Sequence, residues 1–355
     1  MARARLRDLG IVTGSLPPGR WNAITDVPGV LVGYTTLIGD EPNVVRTGVT
    51  AIWPRGPELW HDAVFAGIHS FSGNGEMTGW AWIAEQGLLA SPICITNTHS
   101  VGVVRDAVCA LAVRDKVGMP WLLPVVAETY DGWLSDATSF PVTAEHAMAA
   151  LDGAFSGPIA EGNVGGGAGM ICHEFKGGTG TASRVVSAAG ETFTVGALVQ
   201  ANYGARELLR VDGVPIGREI DTSIVPSHRG VPRDAGSIIV ILATDAPLLP
   251  IQCQRLARRA TTGLAWVGGI GFNGSGDIFL GFATGNHVRQ NDAISAVRML
   301  APDSMNPLFQ AAAEATEEAI LNALTAAETM TGYAGHAAHA LPLDRLIEVM
   351  GRYRR

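Results

Sequence analysis

A serine directly after a glycine, Gly236-Ser237, stands where a stretch broken by Pro and Gly gives way to the apolar run Ser237-Ile-Ile-Val-Ile-Leu-Ala-Thr244. That order of residue types could do acyl-transfer chemistry. A hydroxyl at the head of a buried strand, reached by a flexible loop, is what an N-terminal nucleophile requires. Glycine on its N-terminal side leaves the preceding carbonyl uncovered and the backbone free to adapt. The Ser237 hydroxyl can attack that carbonyl, shift the acyl group from nitrogen to oxygen, and be freed by hydrolysis of the ester. The α-amine so exposed has an ordinary pKa of about 7.7–8.0, so near neutrality it can take the proton of its own hydroxyl. One residue then supplies both nucleophile and base. As a bare dipeptide, Gly-Ser before a strand more often serves turn chemistry.

An acyl-transfer site needs donors aimed at the developing oxyanion, each worth about 2.7–4 kcal/mol. A phenol and a carboxamide can supply them without adding charge. A site that reads a free amine also needs a buried carboxylate, because an unpaired ammonium is costly to desolvate. Taken singly, residues of these types carry plainer readings. Tyr130 in Thr-Tyr-Asp-Gly can cap a turn, and Asn202 before Tyr203-Gly204 can end a strand. Ser275 and Asp277, in a Gly-rich stretch, can hold a turn through side chain to backbone bonds.

Short β-branched runs bounded by Gly, Pro or Asn predict strands over Val30–Thr36, Gly48–Trp53, Pro92–Thr96 and Leu123–Glu128. Val185–Ser187 and Thr192–Gln200 read as a hairpin turning at Ala189-Gly190-Glu191. The continuous apolar run from Ser237 suits a strand buried on both faces. Ala265–Phe272 and Asp277–Thr284 are expected to form a second pair around the Asn273-Gly-Ser-Gly276 turn. Helical spacing predicts Ser100–Val113, Thr143–Leu151, Leu248–Leu264, Pro307–Ala327 and Leu341–Met350. Ser100 and Thr143 are the expected caps of the first two. Residues 206–236 hold Pro215, Pro226, Pro232 and several glycines, and read as an exposed, mobile connection. Strands and helices in separate blocks suggest sheets covered by helices.

The chain of 355 residues is 47% hydrophobic and 16% charged, with 44 glycines, which argues for a large core with many tight turns. So few charges leave little polar surface, and part of that surface is expected to be buried in an oligomer. Net charge is -8, and Lys116 and Lys176 are the only lysines, so no basic face for nucleic acid is expected. Cys94, Cys109, Cys172 and Cys253 form no C-x-x-C pair and read as reduced, mostly buried thiols. A signal peptide and a membrane span are not expected, which points to the cytoplasm. Gly165-Gly-Gly-Ala-Gly169 lacks the spacing of a nucleotide loop; its glycines suggest close backbone approach beside a substrate or between subunits. His69 and His99 read as packing or hydrogen-bonding residues, and Cys172-His173-Glu174 lacks a third ligand at metal-site spacing.

The block from Gly236 to Pro250 resembles the start of the small subunit in the L-aminopeptidase/D-esterase and β-peptidyl aminopeptidase family. So does Asn273-Gly-Ser-Gly-Asp-Ile-Phe-Leu-Gly-Phe282. Upstream, Trp21–Gly33, Gly73-Asn-Gly-Glu-Met-Thr-Gly79, Asn97-Thr-His-Ser-Val-Gly102, Glu128-Thr-Tyr-Asp-Gly132 and Gly162–Met170 match in the same order. The resemblance spans nearly the whole chain. It implies an αββα sandwich of N-terminal-nucleophile type, a single hydrolase domain over 1–355, and self-cleavage into a large chain 1–236 and a small chain 237–355. It also implies a cofactor-free aminopeptidase or amidase, possessing esterase activity in some members, acting on short peptides, amides or esters with a free amine. A homotetramer of cleaved heterodimers goes with it.

By position, Ser237 matches the nucleophile, Ser275 the second serine that orients it, and Tyr130 and Asn202 the oxyanion donors. Glu128 matches a residue suited to the substrate ammonium. Asp277 falls where β-peptide-cleaving relatives carry Glu, and is one methylene shorter. Three other readings fit parts of the sequence. One is a same-fold acyltransferase with an amine acceptor, another an uncleaved binding protein, and the third a metal hydrolase centred on Cys172-His173-Glu174.

Overall fold

A computed structural model describes residues 2–119, 121–227 and 235–353. The first half of the chain contains strands β1 (Leu31–Gly39), β2 (Val45–Pro57) and β3 (Asp62–Gly73), then helix α1 (Trp80–Gln86) and the short β4 (Leu88–Leu89). These are followed by β5 (Ile93–Asn97), α2 (Val101–Arg114), β6 (Val125–Thr129) and α3 (Ala144–Asp152). Next come the small hairpin β7 (Ile171–Cys172) and β8 (Phe175–Lys176), then the long hairpin β9 (Gly178–Ala188) and β10 (Glu191–Asn202), and α4 (Ile216–Glu219). The last third holds β11 (Ala235–Thr244), α5 (Pro250–Arg258), α6 (Ala260–Val267), β12 (Gly274–Arg289), α7 (Asn306–Ala326) and α8 (Leu343–Tyr353).

Two sheets stack face to face. One has four strands in the order β1-β2-β5-β6; the other has six, β4-β3-β12-β11-β10-β9. The run that opens at Ser237 shows why. Ile239, Ile241 and Ala243 enter the core between the sheets, whereas Ile238, Val240 and Leu242 enter the core beneath the helices. A strand apolar on both faces is stable only in the middle of a layered fold. β11 therefore sits centrally, antiparallel to β10 and parallel to β12. The parallel pair needs a crossover, which α5 and α6 provide.

On the outer face of the four-stranded sheet lie α2 and α3, buried through Val104, Val108, Leu111, Ala147 and Leu151. On the other side α5, α6 and α7 cover the six-stranded sheet, and α8 closes the same core. The result is an αββα sandwich. In α7 every residue from Leu308 to Thr325 except Gln310 is buried, including its carboxylates. The fully buried Arg184 pairs with two of them, Nε to Glu314 at 3.1 Å and one Nη to Glu318 at 2.7 Å. Glu318 also takes Arg7 at 2.8 Å, which ties the N-terminal segment to β9 and α7. Among the described residues, no helix is long and apolar enough to cross a membrane.

Several expectations need correction. Ala265–Phe272 is not a strand: α6 continues to Val267, and Gly268 at φ 107° stops it in the left-handed region. Asn273–Gly276 is not a hairpin turn, because Gly274 already opens β12 and its neighbour β11 runs parallel to it. The antiparallel partner of β12 is β3, a strand not expected from the sequence. The helix expected over Leu248–Leu264 starts at Pro250, a residue favoured in the first helical turn, and breaks at Arg259.

Ser100 does not cap α2 with its side chain; the carboxamide of Asn97 accepts its N–H instead. The stretch 206–227 is only partly exposed: Asp221 to Ile224 face solvent, but Leu209, Val211, Ile216 and Ile220 are core residues, and Arg206 is buried. The rest of that expected connection, residues 228–234 including Asp234, lies outside the described residues.

Helix α7 approaches β9 so closely that a Cβ on Gly180 would lie 2.0 Å from Ala319 O and 2.6 Å from Ala323 N. Both are backbone atoms of a buried helix and cannot step aside cheaply. Gly180→Ala should therefore lower stability by about 1–3 kcal/mol through overpacking. Thermal denaturation reads this as a lower melting temperature; an unchanged one would mean that α7 can shift outward.

Candidate active site

The N-terminal end of β11 opens onto a cavity of ≈ 770 Å³ lined by Ser237, Asn202, Tyr130 and Glu128 together with Thr98 and Glu76. Register assembles it. Asn202, the last residue of β10, lies directly across the ladder from Ser237. Both share the strand face that points toward the other sheet, as Gln200 confirms by donating to Thr96 O at 3.0 Å and Thr129 Oγ1 at 2.8 Å. Those acceptors belong to β5 and β6, whose ends carry Thr98 and Glu128 to the same opening.

The Asn202 carboxamide is held at both ends. Its Oδ1 accepts Ile171 N–H at 2.8 Å, and its Nδ2 donates to Tyr130 O at 2.9 Å. A carboxamide has two N–H bonds. The second remains for a ligand atom beside Ser237. Tyr130 is 54% exposed at the mouth, and its phenol lies over Gly132, where a Cβ would fall 2.1 Å from the hydroxyl oxygen. Its ring also meets His99 edge-on at 6.3 Å.

Glu128 is buried, with Oε1 accepting Glu76 N–H at 3.0 Å and Oε2 accepting the Thr98 hydroxyl. The segment before α1 delivers that N–H by running beside β6, where Thr78 N–H donates to Val126 O at 2.9 Å. Burial pushes the Glu128 pKa up, and the bonds from Thr98 and Glu76 oppose that. Glu76 and Glu174 add further carboxyl groups to the wall, and no Lys, Arg or His is among its described lining residues. Such a surface favours a cation.

Ser275 and Asp277 do not line the cavity. They lie behind it on β12, paired in register with Gly236 and Ile238, and so flank the backbone of Ser237. Ser275 Oγ donates to Asp277 Oδ1 at 2.6 Å, and the same carboxyl accepts Ile238 N–H. Burial raises the Asp277 pKa to about 6 against those two bonds.

Sequence reasoning assigned no role to Thr98 or Gly132, although both sit inside motifs singled out above. Their signal was adjacency: a hydroxyl one residue past β5, and a glycine two residues past the tyrosine. The glycines 165–169 lie close against other parts of the chain. A Cβ on Gly165 would lie 2.3 Å from Thr50 Oγ1, and one on Gly167 would lie 2.4 Å from Thr179 N.

His173 is buried with Nδ1 against Ala205 O at 2.9 Å, and Glu174 accepts Arg206 N–H at 2.9 Å. Among the described residues, no three His, Cys, Asp or Glu side chains are grouped to hold a metal ion. His99 stacks on Phe140, and its Nδ1 meets Ala137 O at 3.0 Å. The four cysteines are free; Cys109 is half-buried and the others are buried.

The model of peptidase family S58 matches residues 22–338. The chain belongs to peptidase family S58. Family S58 relatives align over almost the whole length. A β-peptidyl aminopeptidase, BapA, of Sphingosinicella microcystinivorans is 49% identical, covering 99% of this chain and 93% of the relative. A solved β-aminopeptidase of a Burkholderia species superposes with TM-score 0.90 at 51% identity, over 98% of this chain and 99% of that one. An L-aminopeptidase D-Ala-esterase/amidase of Ochrobactrum anthropi, described as a variant of the Ntn hydrolase fold, gives TM-score 0.92 at 44% identity over 99% of both chains. The αββα sandwich is thus an Ntn hydrolase fold, and the chain is a hydrolase of the peptidase class.

Because the Asp277 pKa is raised from an ordinary 3.8 to about 6, folding favours its protonated form. The stability this group contributes is complete below its unfolded pKa and is lost as pH rises through about 6. Asp277→Asn should remove that loss, so its stability relative to wild type should rise between about pH 4 and pH 6. Chemical denaturation across the window checks this; a difference independent of pH would mean that burial does not keep the carboxyl protonated.

Proposed function

We propose that the chain cuts itself between Gly236 and Ser237 into chains 1–236 and 237–355, and that Ser237 then works as an N-terminal nucleophile. The reading rests on one observation: Ser237 lies near the start of the central strand and faces a cavity shared with a carboxamide donor and a buried carboxylate. In self-cleavage the Ser237 hydroxyl attacks the Gly236 carbonyl carbon, the acyl group moves from nitrogen to oxygen, and water hydrolyses the ester. The products are a carboxylate on Gly236 and a free amine on Ser237.

In turnover that amine takes the hydroxyl proton while Oγ attacks the substrate carbonyl. The free Asn202 N–H and the Tyr130 hydroxyl receive the oxyanion charge, the leaving amine takes a proton, and water releases the acyl group. Ser275, bonded to Asp277, orients the new amine from the neighbouring strand. Glu128 pairs with the substrate ammonium, so the substrate is a short peptide, amide or ester with a free amine. The relatives named for β-peptides put β-amino residues among the substrates to be tested. A reduced, cytoplasmic setting fits four free thiols.

Mass spectrometry of purified protein tests the processing. Under denaturing conditions it should find two polypeptides, the smaller beginning at Ser237, and Ser237→Ala should stay in one piece. Under native conditions it should find four such pairs, because a homotetramer is also proposed. A fully active, uncut chain would refute the self-cleavage. Glu128→Gln should raise KM for free-amine substrates about tenfold to hundredfold, the worth of a hydrogen bond to a charged group. An N-acylated substrate accepted equally well by wild type would show that Glu128 does not read the amine.

A further inference from the structure

Lys176 is one of only two lysines in the chain, and its side chain is wholly buried. Among the described residues no carboxylate pairs with it. Its Nζ donates instead to three backbone carbonyls, Gly177 O at 2.8 Å, Met170 O at 2.9 Å and Gly167 O at 3.5 Å. Three acceptors match the three N–H bonds of an ammonium, and a neutral amine would turn its lone pair on one of them. A buried charge is costly, and a methionine would fill the same space without that cost. The placement of the charge suggests a purpose.

Met170 O and Ile171 N–H belong to one peptide group. Its carbonyl accepts from Lys176, and its N–H donates to Asn202 Oδ1 at 2.8 Å. We propose that Lys176 is a positioning residue that acts on Asn202 through this shared peptide, fixing and polarising the carboxamide that receives the oxyanion charge. Hydrogen bonds in a chain strengthen one another in a low-dielectric interior. The ammonium draws electron density from the carbonyl, the Ile171 N–H becomes a stronger donor to Oδ1, and the Asn202 N–H bonds become more positive. Gly177 N–H, which also donates to Met170 O at 2.8 Å, keeps the peptide from rotating. Burial lowers the Lys176 pKa to about 7, whereas hydrogen bonds from the ammonium to carbonyls favour its charged form. The inference rests on the proposed role of Asn202.

The test is a double-mutant cycle on self-cleaved protein with Lys176→Met, Asn202→Ala and the pair, each checked by thermal melting. Lys176→Met should lower kcat about tenfold with KM nearly unchanged, less than the loss of about 100-fold or more for Asn202→Ala. In the Asn202→Ala background it should have almost no effect, and Lys176→Arg should restore most of kcat. Equal losses in both backgrounds, or a change confined to KM, would overturn the relay while leaving the Asn202 role intact. A fully active Asn202→Ala would overturn both.

Where a variant does not cleave itself, protein labelled with 15N-asparagine gives a direct reading. The Asn202 side-chain proton resonances should move upfield in Lys176→Met and return in Lys176→Arg. Unmoved resonances would refute the coupling. Lys176→Gln, neutral but still a donor, replaces Met if that variant does not fold, with the same outcomes expected.

Discussion

A strand that is apolar on both faces cannot lie at an edge or on a surface, and β11 is such a strand from Ile238 to Ala243. Most of the architecture answers that demand. One face is covered by the four-stranded sheet, the other by α5, α6 and α7, and both edges are paired. The only polar positions left to the strand are at its ends. Ser237 stands at one of them, where the two sheets part and a cavity remains. A hydroxyl there is fixed by a long rigid element yet open to a ligand, and catalytic groups need that combination.

The second ingredient is the ladder. Because β10 and β11 pair residue for residue, placing Ser237 also places Asn202 opposite it, and the parallel neighbour β12 places Ser275 and Asp277 alongside. Groups far apart in the chain thus meet through register, with no loop required to hold them. The facing sheet adds Glu128 and Thr98 from the ends of two parallel strands. Hydrogen bonds from Gln200 tie that sheet to β10 and hold the two halves of the site in fixed relation.

Charge is sorted to match. The described walls of the cavity carry carboxyl groups and no cationic side chain, whereas two of the buried cations are held outside them, Arg184 by carboxylates of α7 and Lys176 by carbonyls near Asn202. A substrate ammonium meets no competing cation in the wall. The positive charge of Lys176 reaches the site only through a peptide dipole. This arrangement suits a reaction that binds a cation while stabilising a nearby oxyanion.

The central strand, β10, the last part of β9 and most helices were legible in the sequence, because β11 is uniformly apolar and α2 repeats Val101, Val104, Val108 and Leu111 at helical spacing. The position of Ser237 near the start of that strand was legible too, whereas the chemistry proposed for it draws on the whole-chain motifs that accompany it. β3 was not legible: Gly67, His69, Ser70 and Ser72 dilute its pattern, and it is a strand only because β12 supplies its hydrogen bonds. The last turn of α6, from Ala265 to Val267, read as the start of a strand because a short apolar run carries no period, and only Gly268 and the helical crossover between two parallel strands decide its form. Likewise Lys176, Thr98 and Gly132 look ordinary along the chain. Their work depends on distances across strands, and those are properties of the folded ladder.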